Sequence, residues 1–222
     1  MRFQDAARDG RAVVYAGIQA DPLVARAADL LAAASVPMRV MARAVMNGMS
    51  TDRSTWTTMF PTLFGAKVAD TEREQAEAML DAALEVAERG EAVRSQFRGA
   101  IVEELTARLL GRRVGGAVRR ERRILFDGVR AEIHPYDVTV ERDDRPEAYD
   151  CKWGARGISD DVLHQLDDAR QHATDDAVAL RVALVVFDAR RSCDVRLARS
   201  TAPTAGIDVV TLEALDDLAT AG

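Results

Sequence analysis

The feature that most narrows the fold is a nearly unbroken apolar run, ALRVALVVF, from Ala179 to Phe187. It is far too short to cross a bilayer, which takes about 20 apolar residues. It also lacks the alternation of a strand with one wet face. It therefore reads as a strand buried on both sides, which requires a sheet covered by helices on each face. Its neighbours agree. Upstream, Ser159 can cap a helix over DDVLHQLDDARQHA; downstream, Gly206 opens a shorter strand, IDVVTL, and a last helix, LEALDDLA. A strand joined through a helix to another strand implies a parallel crossover.

Three more strand-like runs precede that helix: Val118 to Phe126, Ala131 to Glu141 and Ala148 to Trp153. The turn Asp143-Asp144-Arg145-Pro146 separates the last two, which suggests an antiparallel meander. A helix, QFRGAIVEELTARLL, comes before them and is expected to end at Gly111. The expected class for residues 96–222 is α/β, with a mixed central sheet of about five strands flanked by helices.

Residues 1–95 read as wholly helical. Pro22 opens the run LVARAADLLAAA, Ser35-Val36-Pro37 interrupts it, and MRVMARAVM follows to Asn47-Gly48. Asp52 can cap a short helix, and TEREQAEAMLDAALEVAERG is amphipathic, with Met79, Ala83, Leu84 and Val86 in its apolar stripe. The pair of runs from Ala28 to Gly48 has the length of a helix-turn-helix. Its second helix, however, offers DNA only Arg39 and Arg43 among Met and Val, so core packing or an interface is the better reading. Trp56, Met59, Phe60, Leu63 and Phe64 form a further apolar cluster. This region is expected to serve recognition, homodimerisation or docking of a partner protein.

The net charge of −6 over 222 residues means that nothing global draws the chain to nucleic acid, so any phosphate binding must be local. From Arg108 to Arg130 there are eight arginines against Glu121 and Asp127. Arg119, Arg120, Arg122 and Arg123 fall on the first strand. They make either a phosphate-binding strip or a charged edge strand that resists aggregation. The two cysteines, Cys151 and Cys193, are not in C-x-x-C spacing, and the segment MRFQDAARDGR has no apolar signal core. A cytoplasmic protein without a membrane span is expected.

The chemistry concentrates in HPYDVTVERDDRPEAYDCKW. Asp150 and Lys152 are two apart on a strand and share a face, with Cys151 on the other. A short hairpin would bring Asp137 of the preceding strand near Asp150. Two carboxylates repel unless a cation joins them, here Lys152, a metal ion, or both. Mg²⁺ takes hard oxygen ligands, commonly one or two carboxylates with substrate phosphate. Such an ion lowers the pKa of a bound water, and the lysine can steady developing negative charge. His134, His164 and His172 form no metal set. His134 falls on the strand face opposite Asp137, and His164 and His172 lie eight apart on an acidic helix, where a solvated face is the better reading.

An acidic residue on one strand and Asp-x-Lys on the next resembles the PD-(D/E)xK phosphodiesterase superfamily, which includes restriction-endonuclease-like nucleases. Asp137 matches the first acid and Asp150-Cys151-Lys152 the second motif. Gly99, Glu103, Leu105 and Leu110 match the pattern of the preceding helix. The likeness extends from about Gln96 to Leu212, although the family's Pro-Asp pair is split as Pro135-Tyr136-Asp137. It implies a Mg²⁺- or Mn²⁺-dependent endonuclease acting on DNA, in a restriction or phage-defence setting. Asp137, Asp150 and Glu103 would ligate the metal, and Lys152 would support the attacking water. Helical spacing argues instead for Glu104, since a stripe of Phe97, Ile101, Leu105 and Leu109 sets Glu103 on the far side. The resemblance also places the Ser159–Ala173 helix near substrate, with Gln165 as a supporting residue. Arg156, in the glycine-flanked loop after the motif, is a candidate for binding phosphate. A catalytically inactive nuclease-fold module for nucleic-acid binding or assembly is the alternative.

Overall fold

A computed structural model describes residues 1–6, 10–127 and 135–220, excepting the side chains of 10–12. His134 and the start of the second predicted strand lie outside the described residues. The chain divides into two compact units: Gly10–Leu105, and Met1–Asp9 with Thr106–Gly222. The expected division at residue 95 thus moves ten residues on. The amino terminus also belongs with the sheet rather than with the helices.

The helical unit contains α1 (Gly10–Gln19), α2 (Pro22–Ala33), α3 (Val36–Asn47), α4 (Arg53–Met59), α5 (Pro61–Phe64), α6 (Asp70–Ala87) and the first part of α7 (Glu91–Val114). Local chemistry sets their ends. Pro22 sits in the first turn of α2, whose N-cap Asp21 accepts from Leu23 N–H. Asp52 caps α4 through the N–H groups of Ser54 and Thr55. Val24, Ala28, Leu31, Met41, Val45, Leu80 and Ala83 form its core. Arg39 is 1% exposed and its Nε donates to Leu31 O at 3.1 Å, so it cannot read DNA. Trp56 and Leu63 are buried, leaving Met59 as the exposed member of the predicted apolar cluster.

The second unit is α/β. Its described strands form one mixed six-stranded sheet in the order β1 (Arg2–Asp5), β2 (Val118–Leu125), β3 (Tyr136–Val140), β4 (Glu147–Lys152), β5 (Arg181–Val186) and β6 (Asp208–Thr211). β1 to β4 pair antiparallel, and β4, β5 and β6 pair parallel. The crossovers are α8 (Asp160–Asp175) and α9 (Arg190–Leu197). Alternation assigns the two faces of the sheet. Ala148 packs with Leu163, Leu166 and Ala169 of α8, whereas Cys151 meets Thr106 and Glu147 meets Arg113, both on the end of α7.

Three expectations change. β1 is an additional strand, and it makes β2 an interior strand, so the arginines there are not an edge device. α7 runs through Gly111 and stops only before Gly115, whose φ of +60° is a left-handed conformation natural to glycine. On the helix face expected to be solvated, His164 is exposed but His172 is half-buried, its ring 5.4 Å from that of Phe126. Among the described residues no helix is long and apolar enough to cross a membrane.

Candidate active site

Asp137, Asp150 and Lys152 meet where β3 and β4 part. The ladder pairs Val140↔Glu147, Thr139↔Ala148 and Val138↔Tyr149, and the next step of this register sets Asp137 against Asp150. At that step the Asp137 side chain intervenes, and its Oδ2 accepts the Cys151 N–H at 2.6 Å. This bond orients the Asp137 carboxylate at the strand end. Lys152 Nζ donates to Asp150 Oδ1 in an ion pair whose members are 26% and 13% exposed. Burial pulls the lysine pKa down, but the charges of Asp150 and Asp137 and the hydrogen bond to Asp150 outweigh it and raise the value. The amine is therefore charged at neutral pH, paired with Asp150 and within the field of Asp137.

The loop after β4 completes the setting of Lys152. The chain leaves through Trp153, passes extended Gly154 and makes a 3-10 turn over Ala155–Gly157. A Cβ on Gly157 would lie 3.0 Å from Lys152 Cβ and Cδ, so a larger residue there would press the lysine stem aside by a few tenths of an ångström. Arg156 in this turn is exposed.

Asp137 and Asp150 are hard oxygen donors on adjacent strands, a donor set that suits one Mg²⁺ or Mn²⁺ with further ligands from water or phosphate. Among the described residues no group of three or more His, Cys, Asp or Glu is arranged to hold a metal ion. Glu103 belongs to the helical unit, where Tyr15 Oη donates to its Oε1 at 2.5 Å and Gln19 Nε2 to its Oε2 at 2.8 Å. It is 5% exposed, whereas Glu104 is half-buried. The helical-wheel expectation that Glu103 faces outward fails because α7 is buried nearly all round there: Ala100, Ile101, Val102, Leu105 and Thr106 are buried with it.

The arginine strip divides. Arg122 is bound by Glu141 and Asp5, so its charge is already neutralised. Arg119 is exposed and donates to Gly116 O and Val118 O. Arg120 and Arg123 are half-buried, and Glu121 between them has a left-handed φ of 52° although the register with β3 continues across it. Gln165 meets the site's surroundings through its main chain, where Tyr136 Oη donates to Gln165 O at 3.4 Å. Cys151 is 6% exposed, and its Sγ lies 3.5 Å from Thr106 Oγ1, consistent with a packing residue.

Sequence reasoning missed two buried carboxylates on these strands. Glu147, 2% exposed, begins β4 and binds Arg113 at 2.6 Å, Tyr149 Oη and Arg181. Asp188, 7% exposed, follows β5; its Oδ2 accepts Ala155 N–H at 3.0 Å and its Oδ1 accepts Ala189 N–H at 2.8 Å. The position of Asp188, at the carboxyl end of a parallel strand, was the available signal.

No protein-family model and no curated protein matches the chain. Among solved structures it is similar to protein VC1899 from Vibrio cholerae, at 16% identity and a TM-score of 0.44. The match covers 98% of this chain and 56% of that one, so the chain spans a little over half the length of VC1899.

Proposed function

We propose that the chain is a divalent-metal-dependent endonuclease of the PD-(D/E)xK type that hydrolyses phosphodiester bonds in DNA, in a restriction or phage-defence role. The observation that carries this reading is the meeting of Asp137, Asp150 and a charged, ion-paired Lys152 at the parting of β3 and β4. The order helix, three antiparallel strands, helix and parallel strand supports it as well.

In this reading Asp137 and Asp150 hold Mg²⁺ or Mn²⁺. The ion, when bound, activates water and balances charge on the phosphoryl oxygens. Asp137 is kept in place by the Cys151 N–H. Lys152 gives up part of its pairing with Asp150 to meet the attacking water or a phosphate oxygen, and its positive charge steadies the developing negative charge. Arg119, Arg120 and Arg156 would meet phosphates along the strand.

A second reading is a catalytically inactive nuclease-fold module for nucleic-acid binding or assembly. The occupation of Asp150 by Lys152 and the lack of a third acidic ligand among the described residues favour it. Calorimetric titration with Mn²⁺ separates the two. Binding that disappears in Asp137→Ala and Asp150→Ala supports the nuclease, and its absence from the wild type supports the module.

A further inference from the structure

We propose that Asp188 is a positioning residue that holds the Trp153–Gly157 turn against Lys152 and so fixes where the lysine amine points. The proposal rests on the reading of Lys152 as the active-site lysine. In the parallel pairing of β4 with β5, Lys152 lies opposite Val186. One residue on, Phe187 N–H donates to Lys152 O at 2.8 Å, and the Phe187 ring packs on Trp153 with centroids 4.9 Å apart. The main chain of Lys152 is thus secured by β5.

Its side chain needs a separate constraint, since a lysine has four rotatable bonds. The ion pair with Asp150 takes the amine, and the turn confines the stem through Gly157, which lies against it. The turn itself is closed by Gly157 N–H to Gly154 O at 2.8 Å and Ile158 N–H to Ala155 O at 3.1 Å. Its link to the sheet is the Ala155 N–H, bound to Asp188 Oδ2. Asp188 is in turn held rigidly. Its other oxygen takes Ala189 N–H, and its main-chain oxygen accepts Leu212 N–H at 3.0 Å. The chain of support runs from β5 through Asp188 and Ala155 to Gly157 and Lys152.

The sequence supplies a clean probe. The chain has two lysines, Lys152 and the exposed Lys67. Acylation by an N-hydroxysuccinimide ester, read by peptide mass spectrometry, reports Lys152 with Lys67 as internal standard, whether or not the protein cleaves DNA. Two substitutions cut the link from its two ends. Asp188→Ala removes the acceptor. Ala155→Pro removes the donor and keeps the carboxylate; Ala155 opens the turn, and Gly154 before it is extended (φ −158°, ψ 165°), the conformation a following proline requires. Both are expected to raise Lys152 labelling several-fold relative to Lys67. Asp188→Asn, which retains one acceptor oxygen, should fall between them and the wild type.

In plasmid cleavage with Mn²⁺ the same two variants should lose about tenfold to a hundredfold in kcat with KM near the wild-type value, as expected for a misplaced group rather than lost binding. Unchanged Lys152 labelling in either folded variant overturns the proposal, and Ala155→Pro decides the matter if Asp188→Ala does not fold. A wild type that fails to cleave, combined with raised labelling in the variants, removes the nuclease reading and leaves the positioning role standing.

Discussion

The Asp137 carboxylate accepts the backbone N–H of Cys151 at 2.6 Å, in the place where the β3–β4 ladder would otherwise continue. One candidate metal ligand is therefore also a structural bond. Asp137→Ala is expected to cost about 1.5–3 kcal/mol in urea unfolding, as for other hydrogen bonds to a charged group. Asp137→Asn should recover most of that stability while still removing the ligand charge. Loss of metal binding in the Asn variant without loss of stability would separate the two roles.

Gly157→Ala tests the packing around Lys152 without touching a charged group. The added methyl meets the lysine stem at 3.0 Å, and the overpacking should cost about 1–3 kcal/mol. Cleavage should fall because the amine moves, and a thermal melt should show a folded protein. An unaltered cleavage rate would mean that the lysine stem yields freely.

At the other end of β4, the Glu147 pKa is lowered. Burial pushes it up, but hydrogen bonds from Arg113 and Tyr149 and the charges of Arg113 and Arg181 more than compensate. A carboxyl with a depressed folded-state pKa contributes stability above its unfolded value, and that stability is lost as pH falls through the folded value. Glu147→Gln leaves Arg113 without its buried partner and should cost about 3–5 kcal/mol near neutral pH. The gap between wild type and variant should be flat from about pH 8 to about pH 6 and should close on acidification below the usual glutamate range. DNA affinity should not change, since this network lies at the opposite end of the strand from Lys152.

The arginines of β2 differ in what they can offer a phosphate. Arg122 is held by Glu141 and Asp5, so Arg122→Gln should lower stability and leave the salt dependence of DNA binding unaltered. Arg119→Gln or Arg120→Gln should reduce the slope of log affinity against log salt by about 0.9 for each phosphate that is no longer neutralised. Fluorescence anisotropy with a labelled duplex in EDTA makes the comparison.

Much of this architecture is legible in the sequence because the hydrophobic periods are clean. The run to Phe187 and the alternation of YDVTV and EAYDCK yield the strands, the crossover and the shared face of Asp150 and Lys152. Short or polar elements are not legible. β1 is four residues long with no period of its own, and it becomes a strand by pairing Phe3 with Ile124 and its neighbours with Arg122 to Leu125. α9 is strongly charged and has Cys193 as its one buried residue, so it carries no apolar stripe. Gly111 resembles a helix stop, but a single glycine inside a helix costs only about 1 kcal/mol, and the buried Leu109 and Leu110 before it with the Arg113–Glu147 ion pair after it outweigh that. Glu103 misleads for a related reason: a helical wheel assumes one buried face, and α7 has more. Asp188 shows in the sequence only as an acid just after the apolar run, because its partner Ala155 is thirty-three residues away and carries no mark of the bond.

Whether Asp137, Asp150 and Lys152 form a nuclease site is decided by cleavage of supercoiled plasmid and duplex oligonucleotides with Mg²⁺ or Mn²⁺. Wild type is compared with Asp150→Ala and Lys152→Ala, each verified as folded. The wild type should nick or linearise DNA only with metal present, and both variants should be slower by about a hundredfold or more. Equal cleavage by all three proteins, or none by the wild type with either metal, would refute the assignment.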